Sequence, residues 1–459
     1  MRTPHTTPAE ADGSPSGRHR QLLSMLKVGV VGFGGGSALI PVMERELVNT
    51  RGGLSEAEFV RDTVIANITP GALPVKLAAL AGLRVRGPLT SLASAVAVAL
   101  PGTALTVALL ALFSALGPGG IRVVEGLSLG VTAFILFLLA HYMTRVLRPG
   151  GRWHGVGLAI ALLVFVVTGA DATSALLAEL LGVPHLELPR FSAVAVIVLA
   201  ILAAGLVAGV QALRARRRGH AAHTEHDEGS GPSVRRVMLA TLALGLLALV
   251  AGVVGMLVLP GGVDLIPLAA LSTVSSFGGG EAYVAVADGF FVASGIVDPL
   301  EFYGQIVPVA NALPGPILIK VAAGMGYTVG AAAGGPVAGI ALASVIMLVT
   351  IGACAAIALA LLAVYDSARR SRFVRMISAI ILPVVCGLLT STSVALLHAS
   401  AVIGDRAGLP GPAVVVGTIV VAVAVAFVHA RVRVPDLVVI AACAFLSLGI
   451  VLAVAGLSA

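Results

Sequence analysis

The chain has 459 residues, 58% of them hydrophobic and 11% charged, with a formal net charge of +7 and a mean hydropathy of +1.04. An ordinary soluble domain carries about 25% charged residues, so the composition excludes one and implies an all-α polytopic membrane protein in the lipid bilayer. The basic excess is scattered over short loops rather than gathered in a stripe; it reads as topology information and excludes nucleic acid as a partner.

In chain order, residues 1–20 are polar and rich in Pro, Ser and Thr, which predicts a disordered cytoplasmic tail and not a cleavable signal peptide. A spanning helix needs about 20 mainly apolar residues. That rule predicts spans near 22–48, 59–83, 88–116, 122–146, 153–171 and 190–213, which form a first transmembrane repeat over 21–213. A cytoplasmic linker, 214–236, and a lone connecting helix, 237–259, come next. A second repeat over 264–459 holds spans near 265–296, 302–328, 334–364, 374–399, 410–430 and 436–457. His220, His223 and His226 in the linker stand beside Glu225, Asp227 and Glu228, but at a spacing too loose for a metal site. Cys354, Cys386 and Cys443 lie in apolar runs without CxxC spacing, so no disulfide framework, zinc site or other cofactor is expected.

Two six-span copies joined by one helix would have opposite orientations, the inverted-repeat architecture of many secondary transporters. Loop charges agree: Arg84 and Arg86, then Arg145, Arg148 and Arg152, then the linker arginines fall on one side in the first copy. Arg369, Arg370, Arg372 and Arg375, then Arg431 and Arg433, fall on that side in the second only if it is flipped. The positive-inside rule then puts the N-terminus in the cytoplasm and the C-terminus outside. The first two segments of each copy are broken by glycine, and read either as full spans or as re-entrant hairpins.

The repeat is visible in the residues themselves. Phe33-Gly34-Gly35-Gly36 recurs as Phe277-Gly278-Gly279-Gly280, and Asn67, Pro70, Gly71 and Lys76 recur as Asn311, Pro314, Gly315 and Lys320, all displaced by 244. Residues 33–82 keep 15 identities in 50 at that displacement, against about five expected by chance for such a composition. Lys76 and Lys320 are two of only three lysines, set in apolar segments of a chain that otherwise uses 26 arginines. An ammonium at such depth faces a polar cavity, an acid or a ligand path, or snorkels to the interface.

Glycine triplets permit helix breaks and close backbone approach, and also tight helix packing. Pro70-Gly71 and Pro314-Gly315 interrupt the second segment of each copy, and the half-helix that restarts directs N–H groups and a positive dipole end at any anion there. The predicted anion site therefore comprises Lys76, Lys320, Asn67, Asn311, Gly71, Gly315, Gly35, Gly36, Gly279 and Gly280, with the two tips meeting near the midplane. Asn67 and Asn311 serve either the anion or the broken backbone. Glu281, directly after the second triplet, is the first candidate for proton coupling, with an ion pair to a lysine as its structural alternative. Glu44 and its counterpart Asp288 are further coupling candidates, although Glu44 also reads as a solvated charge beside Arg45 and Glu46.

Phe-Gly-Gly-Gly near the start of each copy, followed by Thr69-Pro70-Gly71 and Ala312-Leu313-Pro314-Gly315-Pro316, resembles the chromate transporter family in its long, two-half form. The resemblance covers nearly the whole chain and implies a bacterial inner-membrane carrier that exports chromate, with sulfate as a structural mimic and protons or another ion as the coupling partner. The chain departs from the family pattern in having Gly34-Gly35-Gly36-Ser37-Ala38-Leu39 where Gly-Gly-Pro-x-Ala-His is usual, and in having lysines after both breaks. A carrier for another anion such as sulfate and a passive anion channel are the alternative functions, and a homodimer is an admissible assembly. No HExxH or Gly-x-Ser-x-Gly pattern is present, and His141, His398 and His429 lack a matching partner pattern, so an enzyme is not expected.

Overall fold

The structure is a computed structural model that describes residues 15–32, 39–49, 54–115, 117–148, 151–184, 233–276, 280–363, 372–432 and 434–457, with isolated residues between 186 and 207. Gly35, Gly36, Gly279, the linker histidines and residues 1–14 of the predicted tail lie outside this set. Within it the fold is helical throughout. The first copy contains α1 (Pro15–Val31), α2 (Ile40–Glu44, running into a π-helical turn at Arg45–Asn49), α3 (Glu56–Ile68), α4 (Leu73–Arg86), α5 (Pro88–Ala115), α6 (Gly117–Leu147) and α7 (Gly155–Leu181). The connecting helix is α8 (Val234–Val258). In the second copy come α9 (Gly262–Ser275), α10 (Gly280–Ala287, with a π-turn at Asp288–Val292) and α11, which joins Pro299–Glu301, a π-turn at Phe302–Ile306 and Val307–Ala312. Then follow α12 (Ile317–Ala363, kinked at Gly334 and Gly335), α13 (Arg372–Arg406), α14 (Gly411–Arg431) and α15 (Asp436–Leu457). α1 thus begins inside the stretch read as tail.

Eight of the described helices are long and apolar enough to cross a membrane. The segments 22–48, 59–83 and 265–296 are not among them, and 302–328 enters only through the first arm of α12, because each segment consists of two helical arms folded back on one another. Asp62 and Arg84 show this: 22 residues apart, they would be separated by about 33 Å on a continuous helix, yet their side chains meet at 2.7 Å. Lys27 of α1 likewise reaches Glu46 of α2 at 2.6 Å, and Ser272 of α9 reaches Tyr283 of α10 at 3.1 Å. A Cβ on Gly324 would lie 3.0 Å from Ile306, across the Pro314-Gly315 break. Each copy therefore opens with two helical hairpins, and the copy-one arms of 10 to 17 residues are shorter than the hydrocarbon core of about 30 Å requires. The physical reason is local: Pro-Gly removes a backbone donor and takes φ to +97° at Gly71 and +95° at Gly315, a reversal that hydropathy does not register.

The hairpins form the interior. α4 is buried from Leu73 to Leu83 and α12 from Ile317 to Tyr327, whereas the outer helices turn large apolar side chains outward, as at Leu257 (80% exposed) and Val423 (64%). Helix directions follow from residue pairs at the crossings. α7 and α13 run parallel, with Gly157 on Pro383, Gly387 on Ala161, and Thr168 Oγ1 2.8 Å from Ser391 Oγ. α6 and α15 run antiparallel, with Gly126 beside Val451 and Gly130 beside Cys443. The second arm of α12 runs antiparallel to α8, with Gly252 on Val349 and Gly255 on Val345.

Candidate functional site

The hairpin tips interlock between copies. Gly71, at the tip of the second hairpin of copy one, donates its N–H to Ser276 O at 2.6 Å, in the first hairpin of copy two. Gly315, displaced from Gly71 by 244, donates to Gly32 O at 2.7 Å, and Gly32 is displaced by the same 244 from Ser276. These two bonds are one interaction written twice, so the copies exchange tips about a local two-fold relation. The neighbouring helices are exchanged as well. Cys354, on the second arm of α12, packs on Gly71, where an added Cβ would collide with its sulfur. Gly102 of α5 packs on the Pro314 carbonyl, with Lys320 Cδ 3.2 Å from where a Cβ would stand.

Lys76 and Lys320 occupy equivalent places in this frame and are fully buried. Each reaches back across its own break: Lys76 Nζ donates to Thr69 O at 2.6 Å, and Lys320 Nζ donates to Leu313 O. Those carbonyls end the first arm of each hairpin, where a helix leaves acceptors without intrahelical donors, and Thr69 and Leu313 also correspond at 244. Each ammonium thus stays at its own tip. Among the described residues no carboxylate pairs with either lysine. A charge-assisted hydrogen bond contributes about 1.5–3 kcal/mol, whereas burying an ion costs several kcal/mol. Stability alone therefore explains these two lysines poorly.

The remaining predicted residues divide. Asn67 Nδ2 donates to Thr63 O at 2.8 Å and Asn311 Nδ2 to Val307 O at 2.9 Å, so both amides bond the preceding helical turn. Glu44 is half-buried at the end of the α-helical part of α2, and Asp288 is half-buried at the start of the matching π-turn, beside Tyr303. π-turns at related places in both copies are noteworthy because single π-turns are frequent at functional sites. Gly280 opens α10, and Glu281 follows it in the same helix.

Several polar residues at the hairpins were not singled out from sequence. Arg84 forms two 2.7 Å bonds with the Asp62 carboxylate and lies 3.6 Å from Glu58, with side-chain exposures of 5% and 0% for Arg84 and Asp62. Copy two has Thr328, Ile306 and Phe302 at those positions, and Leu271 and Phe290 in place of Lys27 and Glu46. Copy one thus holds its hairpins with ion pairs where copy two uses mainly apolar packing. Ser276 and Cys354 are the others; nothing near them in sequence signals that they meet the Pro70-Gly71 tip.

No solved structure matches this chain. It is similar to the uncharacterized transporter YwrB of Bacillus subtilis, 30% identical over 146 residues, which is 31% of this chain and 73% of that protein. It is also similar to a probable chromate transport protein of Synechococcus elongatus, 32% identical over 130 residues, 28% of this chain and 33% of the relative. The uncharacterized transporter YwrA of Bacillus subtilis is 30% identical over 110 residues, 24% of this chain and 61% of that protein. The family described as Chromate transporter matches residues 20–208 and again 263–448, one match over each copy. With both halves matched and the fold a polytopic helical one, this chain belongs to the chromate transporter family.

Proposed function

We propose that the chain is a secondary carrier that exports chromate or a sulfate-like oxyanion across the inner membrane, driven by the proton gradient. The observation that carries this reading is the reciprocal pair of tip bonds, Gly71 to Ser276 and Gly315 to Gly32. Two equivalent closures, each beside a buried lysine, are what a carrier with two alternately opening sides needs. Restarted helices offer N–H groups at the same tips. The name of the Synechococcus relative supports chromate as the substrate class.

Orientation rests on the hairpins. If each returns to its side of entry, copy one has four spans (α5, α6, α7 and the segment 190–213), α8 is a fifth, and α12, α13, α14 and α15 complete nine. An odd number before copy two inverts it, as thirteen would. The parallel run of α7 and α13 and the antiparallel runs of α6 with α15 and of α8 with α12 all agree with this count. The stretch between the hairpins carries three arginines in copy one (Arg45, Arg51, Arg61) and no lysine or arginine in copy two, and the rule counts cations rather than net charge, which favours a cytoplasmic N-terminus and an external C-terminus. Glu281, Asp288 and Glu44 are the groups to carry the coupled proton.

Uptake of radiolabelled chromate and sulfate into inverted vesicles with an imposed pH gradient tests the reading. A carrier accumulates one or both ions and loses that accumulation when a protonophore collapses the gradient. Flux that ignores the gradient would indicate a channel, and absence of flux for both ions would remove this substrate class.

A further inference from the structure

The two tip junctions share a plan but differ in chemistry. At the junction of the Gly71 tip, Ser276 is completely buried, and among the described residues its Oγ has no hydrogen-bond partner. A buried unpaired hydroxyl costs about 1–3 kcal/mol, so its presence calls for a reason. Around it stand donors held by exchangeable neutral acceptors: Gly71 N–H on Ser276 O at 2.6 Å, Ala72 N–H on Cys354 Sγ at 3.2 Å, and Lys76 Nζ on Thr69 O at 2.6 Å. Sulfur is a weak acceptor, and the other two acceptors are carbonyls, which a dianion would outcompete.

The opposite junction lacks these features. Gly32 replaces Ser276, so the hydroxyl is missing; Pro316 replaces Ala72, so that N–H is missing; and glycine, Gly102, packs on this break where Cys354 packs on the other.

We infer that the transported oxyanion is held at the copy-one junction, by the Ser276 hydroxyl together with the Gly71 and Ala72 N–H groups and the Lys76 ammonium, with the copy-two junction serving as the matching closure. This rests on the carrier reading above. The oxyanion's oxygens would then replace Ser276 O, Cys354 Sγ and Thr69 O as acceptors for these donors. The site suits a tetrahedral dianion, which offers four acceptors to donors that approach from both copies, and it exists only when the tips of both copies are brought together.

The test is equilibrium binding of radiolabelled chromate to purified full-length protein, with thermal unfolding measured on the same samples. Ser276→Ala is expected to weaken chromate binding about tenfold or more, the effect of losing one hydrogen bond to a charged ligand. Its melting temperature, measured without added anion, should stay unchanged or rise, because the hydroxyl it removes has no partner among the described residues. Ser275→Ala, one residue away on α9, should bind chromate as wild type does. Wild-type affinity in Ser276→Ala, or an affinity loss tracked by a fall in melting temperature, would overturn the assignment and leave the carrier reading standing. Wild-type protein that binds neither chromate nor sulfate would overturn both.

Discussion

Gly71→Ala is expected to abolish gradient-driven anion uptake and to destabilise the protein by about 2–5 kcal/mol, whereas Gly315→Ala should cost only about 1–2 kcal/mol. Both glycines have strongly positive φ, +97° and +95°, where an L side chain is strained by about 1–2 kcal/mol. The surroundings separate them. A Cβ on Gly71 runs into Cys354 Sγ and lies 3.1 Å from Cys354 Cβ, while a Cβ on Gly315 meets nothing nearer than Gly29 O at 3.4 Å. Overpacking adds about 1–3 kcal/mol to the first alone. Thermal unfolding in detergent measures the difference, and Cys354→Ala introduced beside Gly71→Ala should recover the overpacking share but not the strain. Equal losses at both glycines, or no recovery in the double variant, would show that the tips are not packed as described.

Arg84→Met should destabilise the protein by about 3–5 kcal/mol, because it strands the Asp62 carboxylate in a fully buried place. The pair Arg84→Met with Asp62→Leu should return most of that loss, since a buried ion pair replaced by apolar groups of similar volume is often close to neutral. Copy two supports this expectation with Ile306 and Thr328 at the same positions. A double-mutant cycle on the unfolding midpoint reads the coupling directly. If Arg84→Met alone is as mild as the double change, the ion pair does not close the copy-one hairpin.

Some of this was legible in the sequence for identifiable reasons. Charges are rare in apolar segments, so Lys76 and Lys320 stood out, and duplication supplied a second reading of each position. Their equivalence and burial follow from that signal. Their acceptors do not, because Thr69 O and Leu313 O are backbone atoms that every residue has. Hydropathy could not separate a hairpin from a span, since both are apolar runs of similar length, although Asp62 with Arg84 and Lys27 with Glu46 were a usable clue. Two opposite charges on either side of a Gly or Pro break, too far apart for one helix, suggest a fold-back. The exchange of tips between copies had no such signal. Ser276 and Cys354 sit 205 and 283 residues from Gly71, and what joins them is a backbone bond and a packing contact.

The interlocked tips are expected to part when the anion passes. Ala72 N lies 3.2 Å from Cys354 Sγ, so Ala72→Cys, in a chain with Cys386→Ala and Cys443→Ala, places two thiols across the copy-one junction. Oxidation to the disulfide, verified by mass spectrometry, followed by radiolabelled chromate uptake into inverted vesicles, tests the claim directly. Uptake should stop when the disulfide forms and return after it is reduced and the reductant removed. Undiminished uptake by fully cross-linked protein would mean that the anion crosses without opening this junction, and would contradict the account.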